Sequence, residues 1–211
     1  MPLRWSNDEG LGAGASTSYK PFCVVPNLAR GMELSGLDQL WIADISYIHL
    51  AEEFGYLAIV LDAFSRKVVG WAFETHLQAM LAIAALETAL AQRRPTPGTL
   101  IHHRTAACST PAAMLKAHDI QASMNRVGNP YDNAKAESFM KTLKQEEVDG
   151  TAYRDIAEAR TCITRFIETV YNRQRLHSAL DYLSPEEYER NTQRLRRAVP
   201  PAAISITETC P

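Results

Sequence analysis

Three short segments in immediate succession constrain the fold of this chain more than any other feature. Leu40 to Leu50, Tyr56 to Phe64 and Val68 to Phe73 are each rich in β-branched and aromatic residues. Only Glu52-Glu53-Phe54-Gly55 and Ser65-Arg66-Lys67 separate them. Strands joined by turns this short read as an antiparallel meander. The pattern then changes to a helical period at Ala79 to Leu90, where Ala, Leu and Ile recur at helix spacing. Pro95, Pro97 and Gly98 break the chain before a fourth strand at Thr99 to His102. A helix around Ala112 to Ala117, a strand near Ile120 to Met124, a break at Gly128-Asn129-Pro130 and a helix from Asp132 to about Glu147 complete the unit. The order is βββαβαβα.

A second long helix is expected from about Asp155 to Arg173, where Ile156, Ala159, Ile163, Phe166, Ile167 and Val170 form an apolar stripe. Ser184-Pro185-Glu186-Glu187 reads as an N-cap, a first-position proline and an acidic first turn. With 211 residues, 46% of them hydrophobic, the chain has material for one core rather than two. The expected division is a leader over 1–35, disordered at its Gly- and Ser-rich start, and a core over 36–150. A helical extension over 151–190 and a flexible tail over 191–211, holding the basic run Arg194 to Arg197, complete it.

A formal charge of -2 carries no overall basic signature, so contact with nucleic acid would need a local patch. Cys23, Cys108, Cys162 and Cys210 lie far apart without metal-ligand spacing or a secretory leader, and read as free thiols in a reducing cytoplasm. The longest apolar run, Tyr56 to Phe64, is interrupted by Asp62 and falls short of the roughly 20 residues of a membrane span. A soluble, cytoplasmic protein with no membrane partner is expected.

Two acids stand out against this background. Asp44 interrupts the apolar strand Trp41 to Ile48, where a carboxylate costs desolvation energy unless it is paired or bound to metal. Glu137 shares one helical face with Lys141 and Lys144, four and seven residues on. Taken singly, each has an ordinary reading, a strand-edge acid and a surface Glu-Lys pair.

Four longer motifs change that weighting. Trp41-Ile42-Ala43-Asp44-Ile45-Ser46-Tyr47-Ile48, Leu61-Asp62-Ala63-Phe64-Ser65-Arg66-Lys67-Val68-Val69-Gly70-Trp71, Gly128-Asn129-Pro130-Tyr131-Asp132-Asn133-Ala134-Lys135-Ala136-Glu137-Ser138-Phe139 and Tyr171-Asn172-Arg173-Gln174-Arg175-Leu176-His177 occur in this order. Together they resemble the bacterial insertion-sequence transposases with a retroviral-integrase-like core, over nearly all of Tyr19 to Glu189. The resemblance implies an α/β, ribonuclease H-like fold: a mixed five-stranded sheet flanked by helices, with additional C-terminal helices. It also implies DNA transposition by phosphodiester cleavage and strand transfer, with two Asp and one Glu holding two divalent metals. Asp44 matches the first Asp and Glu137 the Glu, as catalytic and metal-binding residues. Such hard oxygen ligands suit Mg²⁺ or Mn²⁺, and metals so placed activate water or a 3′-hydroxyl and stabilise the leaving oxygen. Lys141 and Lys144 match positions that lie against DNA, consistent with phosphate contacts. DNA and further copies of the chain are the implied partners. On this reading Asp44 and Glu137 should approach within metal-bridging reach, since paired metals lie roughly 4 Å apart.

One motif departs from the family. Its fourth strand ordinarily runs into HHSDRG, whose Asp is the second metal ligand, whereas this chain reads His102-His103-Arg104-Thr105-Ala106-Ala107-Cys108-Ser109-Thr110-Pro111. Thr105 falls at the Asp position, and a neutral hydroxyl is a poor substitute for a bridging anion. Between Thr105 and Glu137 lie 31 residues, about four fewer than in the family. A frame error accounts for the loop: with a suitable choice of synonymous codons, deleting one base ahead of Ser-Asp-Arg-Gly-Val-Gln-Tyr-Ala yields Arg-Thr-Ala-Ala-Cys-Ser-Thr-Pro, which is Arg104 to Pro111. The alternative is a genuinely diverged loop. Asp119, before the fifth strand, and Asp132, near a helix start, are not expected to replace the missing acid. His102 and His103 read as structural, because imidazole suits Zn²⁺ better than Mg²⁺. Tyr171, Asn172, Arg175 and His177 read as packing at a helix end. The few residues ahead of the core leave recognition of transposon ends unexpected. The competing functions are therefore an impaired transposase core, a non-catalytic DNA-binding remnant, and a ribonuclease acting on RNA, which fits the fold but not the motifs.

Overall fold

The computed structural model describes residues 25–76, 79–103, 112–124, 133–151 and 153–198. The meander is present as β1 (Leu40–His49), β2 (Phe54–Asp62) and β3 (Val68–Glu74). It is followed by α1 (Ala79–Gln92), β4 (Leu100–His103), α2 (Ala112–Ala117), β5 (Gln121–Met124) and α3 (Ala134–Leu143). Then come α4 (Ile156–Arg165) and α5 (Pro185–Ala198). Both long helices widen toward their ends. α3 continues as a π-helical segment over Lys144–Val148, and α4 as a longer one over Phe166–Gln174.

The sheet order is β3-β2-β1-β4-β5, with the meander antiparallel and β4 and β5 parallel to β1. β1 is the central strand, as the ribonuclease H-like expectation requires. Alternation along it separates two cores. Leu40, Ile42 and Ile48 pack with Phe139, Met140 and Leu143 of α3 and with Phe166, Ile167 and Tyr171. Trp41 and Ala43 pack on the other face with Leu81, Ala85, Leu86 and Ala89 of α1. α1 can lie this close because β3 carries Gly70. A Cβ there would sit 2.3 Å from the Ala85 carbonyl oxygen and 2.6 Å from the Ala89 nitrogen.

The C-terminal helices are joined to the core by polar groups as well as apolar ones. Asn172 accepts from the Val68 amide and donates to the Val68 carbonyl, both at 3.0 Å, and so completes a strand-like pairing on β3. α5 begins with a reciprocal cap: the Glu187 amide donates to Ser184 Oγ and the Ser184 amide to Glu187 Oε2. One turn later Glu189, 5% exposed, accepts from Ser65 Oγ and Arg93 and lies 3.6 Å from Lys67 Nζ. Arg93 also reaches Asp38. Asp62, fully buried, accepts from the amides of Asp38, Phe64 and Ser65 and so shapes the turn that presents Ser65.

Two expected boundaries move. α5 runs to Ala198, so Arg194 to Arg197 belong to its last turns rather than to a flexible tail; the helix is anchored by Glu189 at its middle and propagates from there. Within the expected leader, the amides of Leu28 and Ala29 both donate to Ser123 Oγ on β5, so this segment is already part of the fold. Residues 1–24, 77–78, 104–111, 125–132, 152 and 199–211, with what the sequence leads one to expect of them, Thr105 included, lie outside the described residues.

The Arg93 cluster supports a stability prediction. Removing one partner of a buried ion pair costs roughly 3 kcal/mol when the other charge is left unpaired, and about 1 to 2 kcal/mol here, where Glu189 keeps Lys67 and Ser65. Arg93→Met should therefore lower the urea midpoint by a corresponding amount, and an unchanged midpoint would show that the cluster adds nothing to stability.

Candidate active site

Asp44 is the fifth residue of β1 and is 5% exposed. β1 pairs with β4 only from Leu40↔Leu100 to Ala43↔His103. Asp44 is thus the residue of β1 that follows the last described pair with β4, at the middle of β1. On its other side it stays paired with Ile59 of β2, which holds the backbone rigid.

Glu137 lies in the first turn of α3, where a negative charge favours the helix dipole. Ala136, Phe139, Met140 and Leu143 bury one face of the helix, so Glu137 and Lys141 are left exposed on the other. Two contacts fix how α3 lies along β1. At its start, Ala134, Lys135 and Ser138 line a cavity with Leu40 and Ile42, and Lys135 Nζ donates to the Ala63 carbonyl at 2.6 Å. Beyond its end, Lys144 Nζ stands 4.7 Å from the centre of the Tyr47 ring. α3 therefore runs in the same sense as β1. Glu137 lies seven residues before Lys144, about 10.5 Å along a helix axis, and Asp44 lies three before Tyr47, about 10 Å along a strand. Asp44 and Glu137 thus lie on neighbouring elements, between the same two contacts. Lys144, on Glu137's side of the helix, reaches the Tyr47 ring, whereas Lys141 stays in solvent.

Among the described residues no group of three His, Cys, Asp or Glu side chains is placed to hold a metal. The segment with Thr105 lies outside those residues. His102 and His103 are buried at the end of β4. Ser123 Oγ already accepts from the Leu28 and Ala29 amides, so its single proton is directed to His102 Nδ1 at 3.0 Å, a structural role for that imidazole. Asp119 forms a left-handed turn (φ 53°) beside Gly98, next to the edge strand β5, with β4 between it and β1. Sequence reasoning did not single out Lys135 or the aromatic neighbours of Lys144. Tyr47 had entered only as a strand residue, and nothing in the local pattern shows that a helix lysine covers it.

Integrase core domain models match residues 36–130 and 118–185. The chain is 38% identical over 169 residues to the transposase for insertion sequence element IS904 of Lactococcus lactis, covering 78% of this chain and 67% of that protein. It is 36% identical over 192 residues to transposase InsF for insertion sequence IS3A of Escherichia coli, covering 86% and 67%. This chain belongs to the insertion-sequence transposases with an integrase core. Solved structures agree on the fold. A chain of the simian T-cell lymphotropic virus intasome in complex with PP2A regulatory subunit B56 gamma superposes with a TM-score of 0.58 at 15% identity, over 78% of this chain and 58% of that one. The catalytic core domain of BIV integrase gives 0.52 at 17% identity, over 76% and 99%. The HTLV-2 integrase catalytic core domain in complex with magnesium gives 0.52 at 12% identity, over 72% and 97%. The transposase core is thus ribonuclease H-like, with a mixed five-stranded sheet.

Behind α3, the Tyr171 to His177 motif packs as expected of a helix end. Tyr171 meets Phe139 edge-on at 4.7 Å and His177 at 5.2 Å. Burial pushes the His177 imidazole down to about 4, reinforced by the positive charges of Arg66 and Arg175. Its ordinary value is about 6.5, so the unfolded chain binds the proton more readily than the folded one. The stabilisation from neutral His177 is complete above about pH 6.5 and is lost as pH falls toward 4. His177→Gln should flatten the decline in thermal stability across that window, measured by melting at successive pH values; an unaltered decline would mean that His177 is not a contributor.

Proposed function

We propose that this transposase core acts on DNA, cutting and joining phosphodiester bonds with a divalent metal, and that this copy is catalytically impaired. The observation that supports the first half is that Asp44 and Glu137 lie on β1 and α3, two elements packed side by side and running in the same sense. The donors fit the ion: both are carboxylate oxygens, suited to Mg²⁺ or Mn²⁺. The chemistry such ions supply, when bound, is activation of a water or a DNA 3′-hydroxyl and stabilisation of the leaving oxygen. Asp44 would hold its carboxylate rigidly from the central strand, and Glu137 would bring the second from the helix. Lys141 and Lys144, on Glu137's side, would draw phosphates toward these acids and offset their repulsion. Strand transfer joins donor and target DNA, so transposon ends, target and further copies of the chain are the partners proposed. Among the described residues no helix is long and apolar enough to cross a membrane, which accords with a proposed cytoplasmic location.

The second half rests on Thr105, at the position of the second carboxylate, in a shortened segment. Groups of one catalytic site act as a unit, so losing one commonly costs several powers of ten. The alternative reading, a non-catalytic DNA-binding remnant, draws on the same observation and differs in whether any turnover survives. Strand transfer of a pre-cut DNA end in Mn²⁺ separates them. The expected result is little or no product from the unaltered chain, none regained by Thr105→Asp alone, and recovery only when the family-like segment between His103 and Met114 is rebuilt. Activity in the unaltered chain that Asp44→Asn abolishes would overturn the impairment and show that another residue supplies the third ligand.

A further inference from the structure

Further along β1 than Asp44, on the other face of the sheet, lies an aromatic cluster that transposition chemistry as proposed above does not use. Tyr47 is 53% exposed and Phe54 47% exposed, an unusual degree for large rings on paired strands. The two rings meet edge-on at 5.9 Å, and His49 fills the corner at 5.7 Å from Tyr47 and 4.6 Å from Phe54. The cause is register: His49 and Phe54 are direct partners across the β1–β2 turn, and Tyr47 precedes His49 by two residues on the same face. Lys144 Nζ adds a cation 4.7 Å from the Tyr47 ring centre. Among the described residues Lys144 makes no ion pair with a carboxylate.

We propose that the exposed cluster of Tyr47, His49 and Phe54, with Lys144 over one face of the Tyr47 ring, forms a platform on which an unpaired nucleobase of the DNA end stacks. The inference rests on the transposase reading and deepens it. Ring faces that bases stack on, beside a cation suited to the intervening phosphate, are the two components of single-strand recognition, and together they do not depend on base identity. Position supports the assignment. Tyr47 lies about 10 Å beyond Asp44 along β1 but, three residues on, faces the other side of the sheet, and Lys144, on Glu137's side of α3, reaches its ring. A single-stranded tail of about three nucleotides, drawn out beyond the stacked rise of roughly 3.4 Å per step, can follow Lys144 from the Glu137 side to the aromatic cluster. The cost of unpairing the end is offset by stacking, and the separated end is kept from re-annealing.

The test uses the full chain and three DNAs: a blunt duplex, the duplex with a three-nucleotide overhang, and the same overhang lacking its bases. The unaltered chain should bind the base-bearing overhang about tenfold more tightly than the abasic one, the size of one base–aromatic stack. Tyr47→Leu should bring that ratio close to one, Tyr47→Trp should keep it, and Lys144→Gln should weaken both overhangs alike. The ratio is internal to each protein, so a general loss of folded material does not mimic the effect. As a check needing no variant, 2-aminopurine in the overhang should be quenched on binding to the unaltered chain. Equal affinity for the two overhangs, a ratio that survives Tyr47→Leu, or unquenched 2-aminopurine would overturn the platform while leaving DNA binding in place. Failure to bind any of the three DNAs would remove the transposase reading and the platform together.

Discussion

β1 is paired with β2 from Trp41 to His49 but with β4 only from Leu40 to Ala43. Most of the remaining architecture follows from this unequal pairing. Over its first four residues the strand is hydrogen-bonded on both sides and covered by apolar side chains on both faces, which makes it the stiffest element of the fold. Asp44 follows the last described β4 pair and stays paired with Ile59 of β2, so its backbone is held by the central strand, while Tyr47 and His49 further on lie exposed near the hairpin.

The second constraint is the seating of α3, and it is secured from behind. Phe139 packs against Tyr171, Asn172 pairs with Val68, and Lys135 bonds the Ala63 carbonyl. These contacts draw on β3, on the turn after β2 and on the C-terminal helical segment. None involves residues 104–111, where the second carboxylate is expected. These contacts, among the described residues, are sufficient to seat α3 against the sheet. A chain that has lost a ligand there can keep its fold, since loops tolerate changes that cores do not.

The periodic elements were legible in the sequence because their signals are local. Alternation in β1 to β3, the apolar spacing of α1 and the stripe of the long C-terminal helix each follow from burial of one face, and all appear within a few residues of their expected bounds. Ser184-Pro185-Glu186-Glu187 likewise announced the start of α5. The end of α5 was not legible, because the Glu189 anchor draws on Ser65, Lys67 and Arg93, more than ninety residues away. Nor was the inclusion of Leu28 and Ala29, which depends on a serine of the last strand. The widening of α3 and α4 into π-helical ends also carries no local signature in the sequence.

For the site, Asp44 could be suspected from its apolar surroundings, and Glu137, Lys141 and Lys144 could be placed on one helical face from their spacing alone. The four motifs supplied the family, and the anomaly at Thr105 could be seen only as a departure from them. Sequence by itself thus determined the element order, the family and the chemical character of the two acids, because each depends on residue identity over short spans. Only the tertiary structure decided that α3 runs in the same sense as β1, and that Lys144 covers Tyr47 beside an exposed aromatic cluster. These are relations between segments about ninety residues apart, set by how helices and strands pack rather than by any periodicity within either one.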